Sequence, residues 1–252
     1  MIVVLAVIAL NASGAGQAGR APAQSAGAAA RDDKQAVAAL QKLRVPLERD
    51  VQGRVRWIES INGEINDEAM RFLPGLPLLE WLEIGGGNVT AVGMSHLKKC
   101  PAMRRLYLHG VTLDDESLAF LSSMPRLEAL SLQDDGITGR GLKYLKPGGR
   151  MTVLNLGGNR IVDGDLDRIA GLANLEVLVL QNTGITGAGL AKLDGMARLN
   201  VLNLSNCPLV DDDLQHFATM PNLRIVHAAG CGFGQKATEE FIKAHPMLAI
   251  FR

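Results

Sequence analysis

The feature that most constrains this chain is a self-similarity of period 24. Units begin at Val55, Leu79, Met103, Leu127, Met151, Leu175, Leu199 and Leu223 in unbroken register. Numbering each unit from offset zero, apolar residues recur at offsets 0, 3, 5, 10, 15, 18 and 21, and they fill 53 of the 56 slots. The chain is 47% apolar, so chance would fill only about half of them. The exceptions are Ser60, Gly148 and Thr238.

Offsets 0, 3 and 5 write LxxLxL, whose last part alternates with the period of a strand. Offsets 15, 18 and 21 have helical spacing. Helix-start residues stand between them at Asn66-Asp67, Thr90, Asp114-Asp115, Thr138, Asp163, Thr186 and Asp211. Each unit therefore reads as strand, turn and short helix. One unit cannot bury its own apolar edge, so the units must stack, with strands in a parallel sheet and helices outside it. Strands sit closer together than helices, which curves the stack into a right-handed α/β solenoid with a concave sheet face and short helices on the convex face.

Stretches such as MTVLNLGGN (Met151 to Asn159) followed by a helix resemble the leucine-rich repeat signature, over about 80% of the chain. LQNTGITGAGLAKL is similar to the 24-residue repeats of exported bacterial leucine-rich repeat proteins, and LSNCPLVDDDL resembles the cysteine-containing repeats of F-box subunits. No F-box precedes the repeats, which favours the bacterial type. The resemblance implies that offset 8, here Gly63, Gly87, Val111, Asp135, Asn159, Thr183, Cys207 and Cys231, turns inward to bond loop backbone. It also implies a protein partner on the concave face.

The flanks read differently. MIVVLAVIAL opens residues 1–18 as a signal peptide without a basic n-region, followed by small residues that suit cleavage. Residues 19–31 are an Ala/Gly-rich tether. Residues 32–54 form an N-terminal helical cap, with Ala36, Val37, Leu40 and Leu43 on one face and Asp32 or Asp33 as its cap. The eight repeats span 55–247, and 248–252 begin a further strand whose exposed edge suggests weak self-association. The KPGG stretch around Gly148 ends the fourth helix early and predicts a softer joint between units four and five.

Chemistry is sparse. Lys+Arg and Asp+Glu are both 26, which argues against a nucleic-acid partner. The acidic clusters Asp163/Asp165/Asp167 and Asp211–Asp213 lack the glycine and distal glutamate of a calcium loop and read as helix-start carboxylates. The glycine strings lack phosphate-loop spacing, and the five histidines form no metal-protease pattern. We therefore expect no enzyme activity, cofactor, metal or small-molecule substrate. Cys207 and Cys231 fall on adjacent rungs, where either a disulfide or two packed thiols fits.

Offsets 2, 4 and 6 point out of the concave sheet and vary between units. Their N-terminal third holds both tryptophans of the protein. Trp57, Glu59, Trp81, Glu83, Arg105, Tyr107 and His109 form the candidate partner-binding patch, with Arg104 beside it. Two readings of Trp57 and Trp81 are open, a binding anchor or a cover for the sheet beside the cap. The Val153, Val177 and Val201 row with Asn155 and Asn203 reads as a secondary contact surface or a plain ladder. The function expected is that of an exported protein-protein interaction module. The alternatives are a cytoplasmic F-box-like adaptor and a structural envelope spacer.

Overall fold

The computed structural model describes residues 30–252, so the expected signal peptide and residues 19–29 of the tether lie outside the described residues. A ten-stranded sheet runs in sequence order: β1 (Glu48–Arg49), β2 (Val55–Ser60), β3 (Trp81–Gly85), β4 (Arg105–His109), β5 (Ala129–Gln133), β6 (Val153–Asn155), β7 (Val177–Val179), β8 (Val201–Asn203), β9 (Ile225–His227) and β10 (Ala249–Phe251). From β2 onward all pairings are parallel, and each residue faces the one 24 positions later, as in Leu82↔Leu106 and Leu154↔Leu178. The repeat is therefore a leucine-rich repeat solenoid, with one unit per rung.

The leucines that set the period form one continuous core. Leu82, Leu106, Leu130, Leu154, Leu178 and Leu202 are all fully buried, stacked rung upon rung. Burying each contributes about 1.5–3 kcal/mol relative to exposure, which only stacked neighbours can deliver. Two of the three exceptions are polar groups with local partners. The buried Ser60 hydroxyl donates to Glu64 Oε2 at 2.7 Å and accepts from Ile65 N, and Thr238 donates to the Gly234 carbonyl at 2.8 Å. Gly148 instead takes φ +70° in an exposed turn.

At the N-terminal end, helix α1 (Lys34–Lys42) is capped by Asp33, whose Oδ1 accepts from Gln35 N at 2.8 Å. It buries Ala36 and Leu40, with Val37 and Leu43 half-buried against the core. The chain then adds a strand that helical periodicity does not foresee. β1 pairs antiparallel with β2 and covers its outer edge, while Asp32 Oδ2 accepts from Val55 N at 2.7 Å.

The convex helices follow a rule that alternates between units and has a period of 48. Asp67, Asp115 and Asp163 do not cap the helices of their own units. Their carboxylates reach along the stack and accept from both the backbone N and the hydroxyl of Thr90, Thr138 and Thr186 in the next unit, at 2.8 Å and 2.6 Å each time. Asp211 repeats the contact on Gly234 N at 2.6 Å. This corrects the expectation that Asp163 and Asp211 cap locally. Their own helices start at Val162 and Val210, whose N–H groups donate to Asp165 and Asp213. The carboxylate needs room, which is why glycine stands at Gly93 and Gly189: a Cβ there would lie 2.2 Å from Asp67 Oδ1 and 2.3 Å from Asp163 Oδ1. Within the acidic clusters, Asp163, Asp167 and Asp211 thus hold one unit to the next, while Asp165 and Asp213 serve their own helix starts.

Candidate functional site

Parallel pairing in strict register turns the concave sheet into rows. The first row runs Trp57, Trp81, Arg105, Ala129, and the second Glu59, Glu83, Tyr107, Ser131. The third places Gly85 beside His109 and then Gln133. The seven residues singled out from the sequence therefore lie on three neighbouring strands, β2 to β4, and all are half-buried.

Their contacts are mutual. The Trp81 and Tyr107 rings meet with centroids 5.2 Å apart at a 52° tilt, and the Arg105 guanidinium lies 5.3 Å from the Trp81 ring centroid. Such pairs add about 0.5–1.5 kcal/mol to plain burial, so the aromatic surface is preorganised. Burial pushes the Tyr107 phenol up to about 12, with Glu83 adding to the shift and Arg105 opposing it, so Tyr107 is a neutral hydrogen-bonding group across the physiological range. His109 Nε2 lies 3.3 Å from Glu83 Oε1. Along the strand starts, an ordered edge supports the patch. Arg56 Nη2 meets Glu80 Oε1 at 2.5 Å, and Arg104 forks onto both carboxylate oxygens of Glu128 at 2.8 and 2.9 Å.

On the C-terminal half of the same face the ladder, the second of the two readings open from the sequence, is the one the structure bears out. Val177, Val201, Asn155 and Asn203 are buried, as is Val179, while Val153 at the start of the row is half-buried, so most of the row is withdrawn from contact. Asn155 donates to Gln133 Oε1 and accepts from Gly157 N, and Asn203 does the same with Gln181 and Ser205 N. The row is a ladder locked by its own amides. Short side chains on tightly spaced rungs shield one another, whereas the large rings and long charged chains of β2–β4 rise above the sheet.

Beneath the loops, the polar offset-8 side chains from Asp135 to Cys231 bond backbone, whereas Gly63, Gly87 and Val111 have no group to do so. Asn159 Nδ2 donates to the Leu132, Leu156 and Gly157 carbonyls, and its Oδ1 accepts from Ile137 N. Cys207 and Cys231 are free thiols that donate to the Leu180 and Leu204 carbonyls at 3.1 and 3.2 Å. Asp135 Oδ1 accepts from Val111 N at 2.8 Å. Among the described residues, no group of three or more His, Cys, Asp or Glu is arranged to hold a metal, and no helix is long and apolar enough to cross a membrane.

A family model described as leucine-rich repeat matches residues 149–209. No curated protein matches the chain. Among solved structures, internalin C2 from Listeria monocytogenes (strain 4b F2365) is similar with a TM-score of 0.57 at 21% identity, over 72% of this chain and 74% of that one. An internalin, InlF, from the same strain is similar with a TM-score of 0.52 at 18% identity, over 72% of this chain and 56% of that one. At these identities the likeness is one of fold.

Proposed function

We propose that this chain, a leucine-rich repeat protein, recognises a protein partner through the N-terminal third of its concave face. Scaffolds of this kind generally mediate contacts between proteins. The observation that carries the assignment is the mutual packing of Trp81, Tyr107 and Arg105 on a stretch of sheet whose large side chains are half-buried and face outward. Rings held in place before binding lose little entropy on contact, and Trp, Tyr and Arg dominate interface energetics. The same packing favours recognition over a plain cover for the cap, because the Trp81 ring leans away from β1 and toward β4.

The apolar opening of residues 1–18 supports export of the mature chain. Affinity capture with the full chain tests the binding reading. Trp81→Ala/Tyr107→Ala should lose a partner that the wild type and an Arg168→Ala convex-face control both retain, with circular dichroism unchanged. Equal retention by the double variant would move recognition elsewhere.

A further inference from the structure

The net charge of zero hides a separation of charge across the stack. Acids gather on the flank where strands end and convex helices start, and Asp67, Asp115, Asp163 and Asp211 are engaged there by the next unit. The opposite flank carries the turns that lead from each convex helix into the following strand. In the turns before β4, β5 and β6 it exposes Lys98, Lys99, Arg126, Lys146 and Arg150. Their side chains make no hydrogen bond, ion pair or ring contact with any described residue. The 24-residue register stacks them. Lys98 and Lys146 hold equivalent positions two units apart, with Ser122 between them, and Arg126 and Arg150 are equivalent on adjacent units. Parallel rungs lie about 4.8 Å apart, so the three strand starts span roughly 10 Å. The acids of that edge do not offset the cations, because Glu80 is held by Arg56 and Glu128 by Arg104. Helix dipoles do not account for them either. That effect is confined to the last turn, and Arg126 and Arg150 lie beyond helices that end at Ser123 and Tyr144. Unit one has Pro74 and Leu78 at the same two positions and unit five has Ala170 and Asn174, so the cluster is bounded on both sides.

We infer that an acidic segment of the protein partner lies along these three turns, an inference that rests on the recognition reading above. The turn of Lys98 and Lys99 leads directly into β4, which carries Arg105 and Tyr107, so a polypeptide docked on the rings meets this edge as it leaves them. Carboxylates gain charge-assisted hydrogen bonds there from cations that have no other partner. The chemistry suits an acidic peptide better than a bilayer or a single-stranded nucleic acid. None of the exposed large apolar or aromatic side chains among the described residues lies in these turns, which leaves lipid without an anchor and bases without a stacking platform.

The test titrates the full chain into a fluorescent hexaglutamate amide and follows its anisotropy. Six extended residues reach about 20 Å, enough to span the three turns. The expected result is saturable binding that weakens with salt and is roughly tenfold weaker in Lys98→Gln/Lys99→Gln/Arg126→Gln, which loses three exposed ion pairs. Arg140→Gln/Arg160→Gln/Lys236→Gln removes the same charge from exposed positions outside the cluster and should bind as the wild type does. All six side chains are exposed, so both variants should fold normally. No saturable binding, an equal loss in the two variants, or binding to phosphatidylglycerol vesicles in place of the peptide would overturn the inference. A native partner lost by Trp81→Ala/Tyr107→Ala but held by Lys98→Gln/Lys99→Gln/Arg126→Gln would leave concave-face recognition standing and remove only the acidic segment.

Discussion

Asp135 illustrates how one residue changes the physics of a repeated slot. Asn159, Cys207 and Cys231 each donate to the carbonyl 27 positions earlier, a contact for which the equivalent acceptor of Asp135 is the Leu108 carbonyl. An ionised Asp135 has no hydrogen to give. Its Oδ1 accepts from Val111 N, while its Oδ2 is buried without a hydrogen-bond partner among the described residues. Burial pushes this carboxyl up to about 7, with Asp134 adding to the shift and the Val111 N–H and His109 opposing it. A proton on Oδ2 supplies the donor the slot requires. Near pH 4 the folded chain holds that proton, and as pH rises toward 7 the unfolded chain releases it while the folded chain does not. Stability is therefore lost across that window, on the order of 2–4 kcal/mol in all. Asp135→Asn carries a permanent donor and no charge. Its melting temperature should exceed that of the wild type at pH 8 and converge with it near pH 4. A difference independent of pH would show that Asp135 is ionised throughout.

Between elements, the joint is made by carboxylates that cap the neighbouring unit. Asp163 serves the backbone N and the hydroxyl of Thr186 at once, so Asp163→Ala leaves two donors unpaired where an ordinary cap loss leaves one. We expect a loss of about 1–2 kcal/mol in chemical denaturation. Asp167→Ala, which removes only an exposed contact to Lys192, should change stability by less than about 0.5 kcal/mol. Equal effects would mean the inter-unit caps are solvated ornaments. The strand, turn and helix order, the parallel register and the rows of the concave face were all legible in the sequence, because LxxLxL has only one way to bury three leucines. The alternation of capping was present too, with Asp67, Asp115 and Asp163 set against Thr90, Thr138 and Thr186, but superposing units at period 24 averages odd and even ones together. Which of the two readings of the Val177 and Asn203 row holds was not legible. It depends on how closely neighbouring rungs shield short side chains, which no single unit records. β1 escaped because Glu48–Arg49 is too short to show a period.

At the scale of the whole stack, each unit touches only its neighbours, so cooperativity is as strong as the weakest joint. Units four and five meet where the fourth convex helix stops at Tyr144 and Gly148 turns through a positive φ, and β5–β6 is the first repeat pairing to shorten from five residue pairs to three. A side-chain bond from Asn174 Nδ2 to the Gly149 carbonyl spans the turn at 2.8 Å. Beyond this joint Val177, Val179, Val201, Asn155 and Asn203 form a buried valine and amide ladder, whereas β2–β4 carry half-buried rings and charges. The C-terminal units should therefore outlast the N-terminal ones. The two tryptophans lie on β2 and β3, so their emission follows the N-terminal units alone, while far-ultraviolet circular dichroism follows all of them. In urea the emission midpoint should fall below the dichroism midpoint, and Asn174→Ala should widen the gap by loosening the joint. Coincident transitions that remain coincident in Asn174→Ala would show that the joint transmits stability fully and that the solenoid unfolds as one unit.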